Sequence, residues 1–145
     1  MPWIAILGYK NRHKSEYEVD YSTVVCGGTL ITDRFVITAG QFCHLISSVE
    51  VKLGSHNHEH EGGNSRIYAI QNVTLHEKFD KNEKIHDIAL IKLKQNVQFT
   101  DYIQPVCLPF KKYWSMSYAG ATAMVSGWGY TVQGDNPEES SILQV

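Results

Sequence analysis

Residues 23–38 read Thr23-Val24-Val25-Cys26-Gly27-Gly28-Thr29-Leu30-Ile31-Thr32-Asp33-Arg34-Phe35-Val36-Ile37-Thr38. Three β-favouring runs follow one another here. Thr23–Val25 and Thr29–Ile31 flank Cys26-Gly27-Gly28, and Phe35–Thr38 follows Asp33-Arg34, a pair suited to a tight turn. No segment of the chain shows a convincing amphipathic helix of useful length. The same grammar recurs outward from this stretch. Val49-Glu50-Val51-Lys52-Leu53 alternates apolar and polar at period two, as a half-buried strand does. Ile88-Ala89-Leu90-Ile91 is a continuous apolar run, which fits a strand buried on both faces or one in a barrel core. Ala121–Val125 and Ser141–Val145 are two further candidate strands, and polar turn clusters stand at Lys10–Glu16, Ser55–Asn64, Asp80–Lys84 and Gln133–Glu139. Many short strands at such spacing predict an all-β chain, an antiparallel sandwich or barrel.

Composition narrows the function classes. The 145 residues carry 13 Lys plus Arg against 15 Asp plus Glu, a net charge of −2. That balance argues against a nucleic-acid partner, which calls for a basic surplus. No run approaches the ~20 apolar residues of a membrane helix, and Met1–Leu7 lacks the basic start and apolar length of a signal peptide. The 3 cysteines, Cys26, Cys43 and Cys107, are too far apart for a zinc site of the CxxC kind. Either all are thiols, or two pair and one is left over. Leu108-Pro109 through Ser117 reads as a linker: it mixes proline, lysines and bulky aromatics without alternation.

Four blocks together resemble the trypsin-like serine proteases of the chymotrypsin fold. They are Pro2-Trp3 before an apolar run; Cys26-Gly27-Gly28-Thr29-Leu30-Ile31 leading to Ile37-Thr38-Ala39-Gly40; Asp87-Ile88-Ala89-Leu90-Ile91-Lys92-Leu93 followed by Gln104-Pro105-Val106-Cys107-Leu108-Pro109; and Ser126-Gly127-Trp128-Gly129 with Ser141-Ile142-Leu143-Gln144 beyond. They stand in the family's order across nearly the whole chain. The wording of Phe99–Pro109 is similar to arthropod proteases of the clip-domain kind. The resemblance implies an antiparallel double-barrel fold, of which this chain holds the first barrel and the opening hairpin of the second. Residues 1–108 then form the first barrel, 109–120 an inter-barrel linker and 121–145 the truncated start of the second.

The family's chemistry needs a serine nucleophile, a histidine base and an aspartate that orients the base. The resemblance places the triad acid at Asp87; read on its own, that residue is a strand-starting aspartate capping a turn. At the histidine position the sequence departs, reading Thr38-Ala39-Gly40-Gln41-Phe42-Cys43, with Gln41 for histidine and Phe42 as an extra residue. An amide cannot take up the serine proton. His44 is a weaker candidate base, reachable only if the loop slides. The serine motif has no match in the chain, and Gly134-Asp135-Asn136 is a turn. Losing a triad base alone costs about 10⁶ in kcat, so no proteolysis is expected of this polypeptide.

The resemblance further implies a disulfide between Cys26 and Cys43, worth about 3 kcal/mol, which the inserted Phe42 would strain. It leaves Cys107 unpaired, available for an interchain disulfide to a light chain or pro-domain. These features imply an oxidising, extracellular setting. Three reduced thiols are the alternative. His56, His58 and His60 would share one face of an extended strand, as copper or zinc ligands do, but the glycine-bearing loop reads as solvated. Ser55 stands where calcium-binding relatives place a carboxylate, so neither a metal nor a cofactor is expected. Asn72-Val73-Thr74 is a glycosylation triplet of a kind common by chance.

Three functional readings remain. The first is a fragment of a secreted trypsin-like endopeptidase, acting on a protein substrate when whole, with an incomplete coding sequence explaining the absent leader, activation site and serine. The second is a non-catalytic protease homologue that binds or regulates a protein partner, which Gln41 and the Phe42 insertion favour. The third is a complete one-barrel binding module, disfavoured because a hairpin at 121–145 would present open edges.

Overall fold

The computed structural model describes residues 1–9, 24–42, 49–58, 63–129, 140 and 142–145. Among these residues there are six strands: β1 (Ile4–Tyr9), β2 (Val24–Leu30), β3 (Phe35–Thr38), β4 (Val49–Leu53), β5 (Arg66–Leu75) and β6 (Ala89–Leu93). They close into one barrel in the order β1-β2-β3-β6-β5-β4. Every neighbouring pair is antiparallel, and β1 completes the ring by pairing with β4 from Ala5↔Leu53 to Tyr9↔Val49. Closure gives each of these strands a neighbour on both sides, which is how an all-β chain limits edge-to-edge association.

Alternation fills the interior. Val36 and Thr38 of β3, Val49, Val51 and Leu53 of β4, and Ala89, Ile91 and Leu93 of β6 are buried, with the intervening residues of β3 and β6 partly exposed. On β1, Ala5 and Leu7 join this core, and the alternate residues Ile4 and Ile6 are buried outside it. Val97 and Ile103 close one end of the barrel from the 94–107 segment, fixed by Val97 N–H to Asp33 O at 2.6 Å and Gln104 N–H to Pro2 O at 3.0 Å. Gly54 turns the chain beneath Ile103 with φ of +73°, where a Cβ would meet Asn64 O at 2.7 Å.

β3 and β4 have the bounds that the alternation predicted. The two runs flanking Cys26-Gly27-Gly28 are a single strand, β2, running through the glycines. The cause is close packing. A Cβ at Gly28 would lie 2.8 Å from Val36 Cγ1 and 3.1 Å from Ile37 O, so β3 approaches closely only over a glycine. The hairpin turn forms at Asp33-Arg34, with Thr32 Oγ1 accepting the N–H groups of Arg34 and Phe35 at 3.0 and 3.1 Å. The Ile88–Ile91 run is not buried on both faces: Ile88 is exposed, and β6 alternates from Ala89 as a barrel strand does. β1 and the ten-residue β5 were not among the candidate strands. Polar residues on β5 and a bulge between Ile70 and Asn72 blur its period.

The carboxy-terminal candidates are corrected. Residues 121–125 form no strand, and Met124 and Val125 are 76% and 84% exposed. Among the described residues of 142–145, pairing is confined to isolated bridges, Ile142 with Asn57 and Gln144 with Gly127. A strand needs neighbours on which to lay its apolar face, and these stretches have none among the described residues. The turn clusters at Lys10–Glu16 and Gln133–Glu139 lie outside the described residues.

Candidate functional site

Asp87 sits at the end of the β5–β6 connection, and three features fix it there. His76 N–H reaches Ile88 O at 3.1 Å and closes the connection beneath it. His86 takes φ of +52°, its carbonyl accepting Ile88 N–H at 2.8 Å, so the chain turns sharply at Asp87. The His86 ring stacks on His76 with centroids 4.7 Å apart and planes 11° from parallel. His76 is oriented in turn, its Nδ1 accepting Lys78 N–H at 3.1 Å. The stacked pair and the left-handed residue are the part of the site that sequence reading missed. They have no local signature, because the two histidines meet only when the hairpin closes.

Opposite lies the turn that follows β3. Gly40 is buried there, and a Cβ on it would meet Leu75 Cδ2 at 3.1 Å, Asp87 Oδ1 at 3.3 Å and Ile88 O at 3.4 Å. That close approach brings Gln41 N–H to Asp87 Oδ1 at 2.7 Å, a short hydrogen bond of the charge-assisted kind. The structure therefore joins Asp87 and Gln41, 46 positions apart in sequence. The joint runs through the main chain of residue 41, so it does not depend on which side chain stands there. The contact is that of a carboxylate capping the turn after β3.

Asp87 faces a cleft of about 640 Å³ between the barrel and the 126–128 segment, walled by Trp3, Ile4, Cys26, Ile88 and Trp128 among others. Trp128 is held by its Nε1–H, which donates to His56 O at 3.1 Å, and Leu143 N–H reaches the same carbonyl at 2.8 Å. No histidine lines the cleft among the described residues. Ser126 borders it, and its hydroxyl lies 3.1 Å from Met1 Sδ. His44, the weaker candidate base, lies outside the described residues.

Cys26 carries a free thiol, so the Cys26–Cys43 disulfide implied by the resemblance is not formed in this structure. Its Sγ donates to Gly27 O at 3.1 Å and lies 3.4 Å from Thr38 Oγ1, which itself donates to Gly27 O at 2.8 Å. This inward packing occupies the sulfur, and Cys43 lies outside the described residues. Burial pushes the Cys26 thiol above its ordinary value, and the Asp87 charge adds to the rise. The protonated thiol is no substitute nucleophile. Cys107 is exposed and free.

The 55–58 segment is not a solvated loop throughout. Ser55 and His58 are buried, with Ser55 Oγ donating to Asn57 O at 2.7 Å, whereas His56 is exposed. The two histidines thus differ in environment, and His60 lies outside the described residues. No cluster of three or more potential metal ligands forms among the described residues.

The family profile described as Trypsin matches residues 1–145. Serine protease grass of Drosophila melanogaster is 31% identical over 152 aligned residues, covering 94% of this chain and 38% of that protein. Chymotrypsin of Phaedon cochleariae is 39% identical over 107 residues, covering 73% and 38%. CLIP domain-containing serine protease B9 of Anopheles gambiae is 35% identical over 152 residues, covering 91% and 36%. The chain spans less than two fifths of the length of these relatives.

Proposed function

On the premise that this chain belongs to the trypsin family of serine proteases, as the match over its whole length shows, we propose that it is a non-hydrolytic member. The observation that carries this is the side chain at position 41, an amide on the residue whose main chain meets Asp87. The carboxylate that would orient a histidine in this family is met by the main chain of Gln41, and no imidazole borders the cleft among the described residues. A serine without a base retains little reactivity, and a neutral amide offers no nitrogen that takes a proton near pH 7. The chain then acts through binding, as a regulatory partner of another protein. A first barrel spanning 1–108, a linker over 109–120 and the start of a second barrel over 121–145 complete this reading. So do an extracellular setting, in keeping with the arthropod proteases it resembles, and a disulfide-linked partner segment at the exposed Cys107.

The second reading is a piece of a secreted endopeptidase whose whole form cleaves protein substrates; the family match favours it. The two part on one experiment. The longest natural form of the protein, activated and purified, is incubated with a fluorogenic peptide panel. No turnover above buffer is expected with Gln41 in place. Turnover that active-site titration assigns to this protein overturns the non-hydrolytic reading.

A further inference from the structure

Asn72-Val73-Thr74 is the one Asn-x-Ser/Thr triplet in the chain, and the candidate site makes no use of it. Such triplets arise often by chance, so the fold has to decide whether this one can carry a sugar. A side chain turned into the barrel, or one held in a hydrogen bond, could not.

On β5, Tyr68 and Ile70 lie two apart and both pack on the core. Unbroken alternation would then turn Asn72 and Thr74 inward as well. The bulge prevents this. Ile70 pairs with Leu93 and Asn72 with Lys92, so Gln71 is left out of the register. The inward contact passes to Val73, and Asn72 and Thr74 stand exposed on one face, two residues apart. Their partners across the ladder, Lys92 and Leu90, are the partly exposed residues of β6. Arg34 pins the bulge. Its Nη2 donates to Gln71 Oε1 at 3.1 Å and to Lys94 O at 3.2 Å, and its Nε donates to Leu93 O at 3.1 Å. The Asn72 amide and the Thr74 hydroxyl have no hydrogen-bond partner among the described residues.

Resting on the extracellular setting proposed above, we propose that Asn72 is an N-glycosylation site, which takes one oligosaccharide as the chain passes through the secretory route. In the transfer, Asn72 Nδ2 bonds to the anomeric carbon of the first sugar and gives up one proton to a base of the transferring enzyme. The bond that breaks joins that carbon to a phosphate oxygen of a lipid-pyrophosphate donor, and the lipid pyrophosphate leaves with the electron pair. Nothing is oxidised or reduced. The enzyme reads the triplet on the emerging chain, and the fold then has to leave the product a place in solvent. The slipped register of β5 supplies that place on the outer wall of the barrel, away from the core.

The test sends the 145-residue chain, behind an added secretion leader, through insect cells. Intact mass before and after peptide-N-glycosidase reads the glycan, and peptide mass locates it. One glycan at residue 72 is expected on most molecules. Asn72→Gln and Thr74→Ala should abolish it, whereas Thr74→Ser should keep it, a split that altered folding would not produce. The glycosylated chain should unfold at the same urea midpoint as Asn72→Gln, since both changes lie in solvent. Should the chain be retained in the cells, the same readings are made on the microsomal fraction, because transfer precedes export. A leader-bearing chain without a glycan, a glycan that survives Thr74→Ala, or a midpoint lowered by the glycan overturns the inference. The longest natural form, expressed without an added leader, tests the setting separately. A glycan on the leader-bearing chain with none on the natural form overturns the extracellular reading and leaves Asn72 established as an acceptor.

Discussion

The barrel and the segment beyond Leu108 draw on similar residues and end in opposite states. Ile91 and Leu93 on β6 are fully buried, while Phe110, Met124 and Val125 stand 74%, 76% and 84% exposed. The difference is one of partners, not of hydrophobicity. A β-strand hides its apolar face only when a sheet supplies the opposite wall and the ladder on both sides. In the barrel each strand has two neighbours. Beyond Leu108 the described chain meets residues 1–108 at the His56 carbonyl, the Asn57–Ile142 bridge, the Ser126 hydroxyl on Met1 Sδ, and Leu143, which is buried. The candidate site lies on this seam, with Asp87 and Cys26 from the barrel and Trp128 from the segment.

The largest expected effect breaks the barrel side. Leu93→Ala should cost about 3 kcal/mol, because a fully buried leucine leaves a cavity the closed ring cannot collapse. Val125→Ala should cost less than about 0.5 kcal/mol, being an exposed change. Urea unfolding of both variants measures the contrast, and equal losses would mean that the segment is as tightly packed as the barrel. Gly28→Val comes next, at about 2 kcal/mol, since its Cβ would overlap Val36 Cγ1 and force β3 from β2. Its midpoint in the same experiment should fall well below that of a Gly27→Val control, whose Cβ would meet nothing within 4 Å.

A smaller loss, about 1 kcal/mol, is expected for Asp87→Asn, which leaves the Gln41 N–H contact without its charge. Gln41→Ala should leave stability within about 0.5 kcal/mol, because the bond belongs to the main chain. Thermal melts check the pair, and a larger loss at Gln41 would show that its side chain takes part. The smallest effect concerns Cys26. Its thiol holds its proton more tightly folded than unfolded, so stability is full below the ordinary thiol value of about 8.5 and declines as pH rises past it toward the raised folded value. Cys26→Ala should flatten that slope. Iodoacetamide should also label the exposed Cys107 before Cys26, and the reverse order, read by peptide mass, would contradict the burial argument.

The sequence carried the strands whose signal is local. Phe35–Thr38 and Val49–Leu53 announce themselves by turn chemistry and period two, and both stand as read. β5 did not, because its residues answer to two neighbours and a bulge rather than to one alternating face. Ala121–Val125 has strand composition and remains exposed coil, since composition cannot supply a partner sheet. At the site, Asp87 and Gln41 were legible as residues. Their 2.7 Å contact was not, nor was the His76–His86 stack behind it, because both depend on chain closure between distant positions.

By itself, then, the order of residues determined the β class and the family, because these are properties of residue type and local spacing. Tertiary structure alone decided that Cys26 is a packed thiol, that His58 is buried while His56 is not, and that Asp87 shares a cleft with Trp3 and Trp128. Each of these follows from which surfaces the closed ring brings together. Burial, and the charge balance it imposes, is a property of the assembled neighbours and of no residue taken alone.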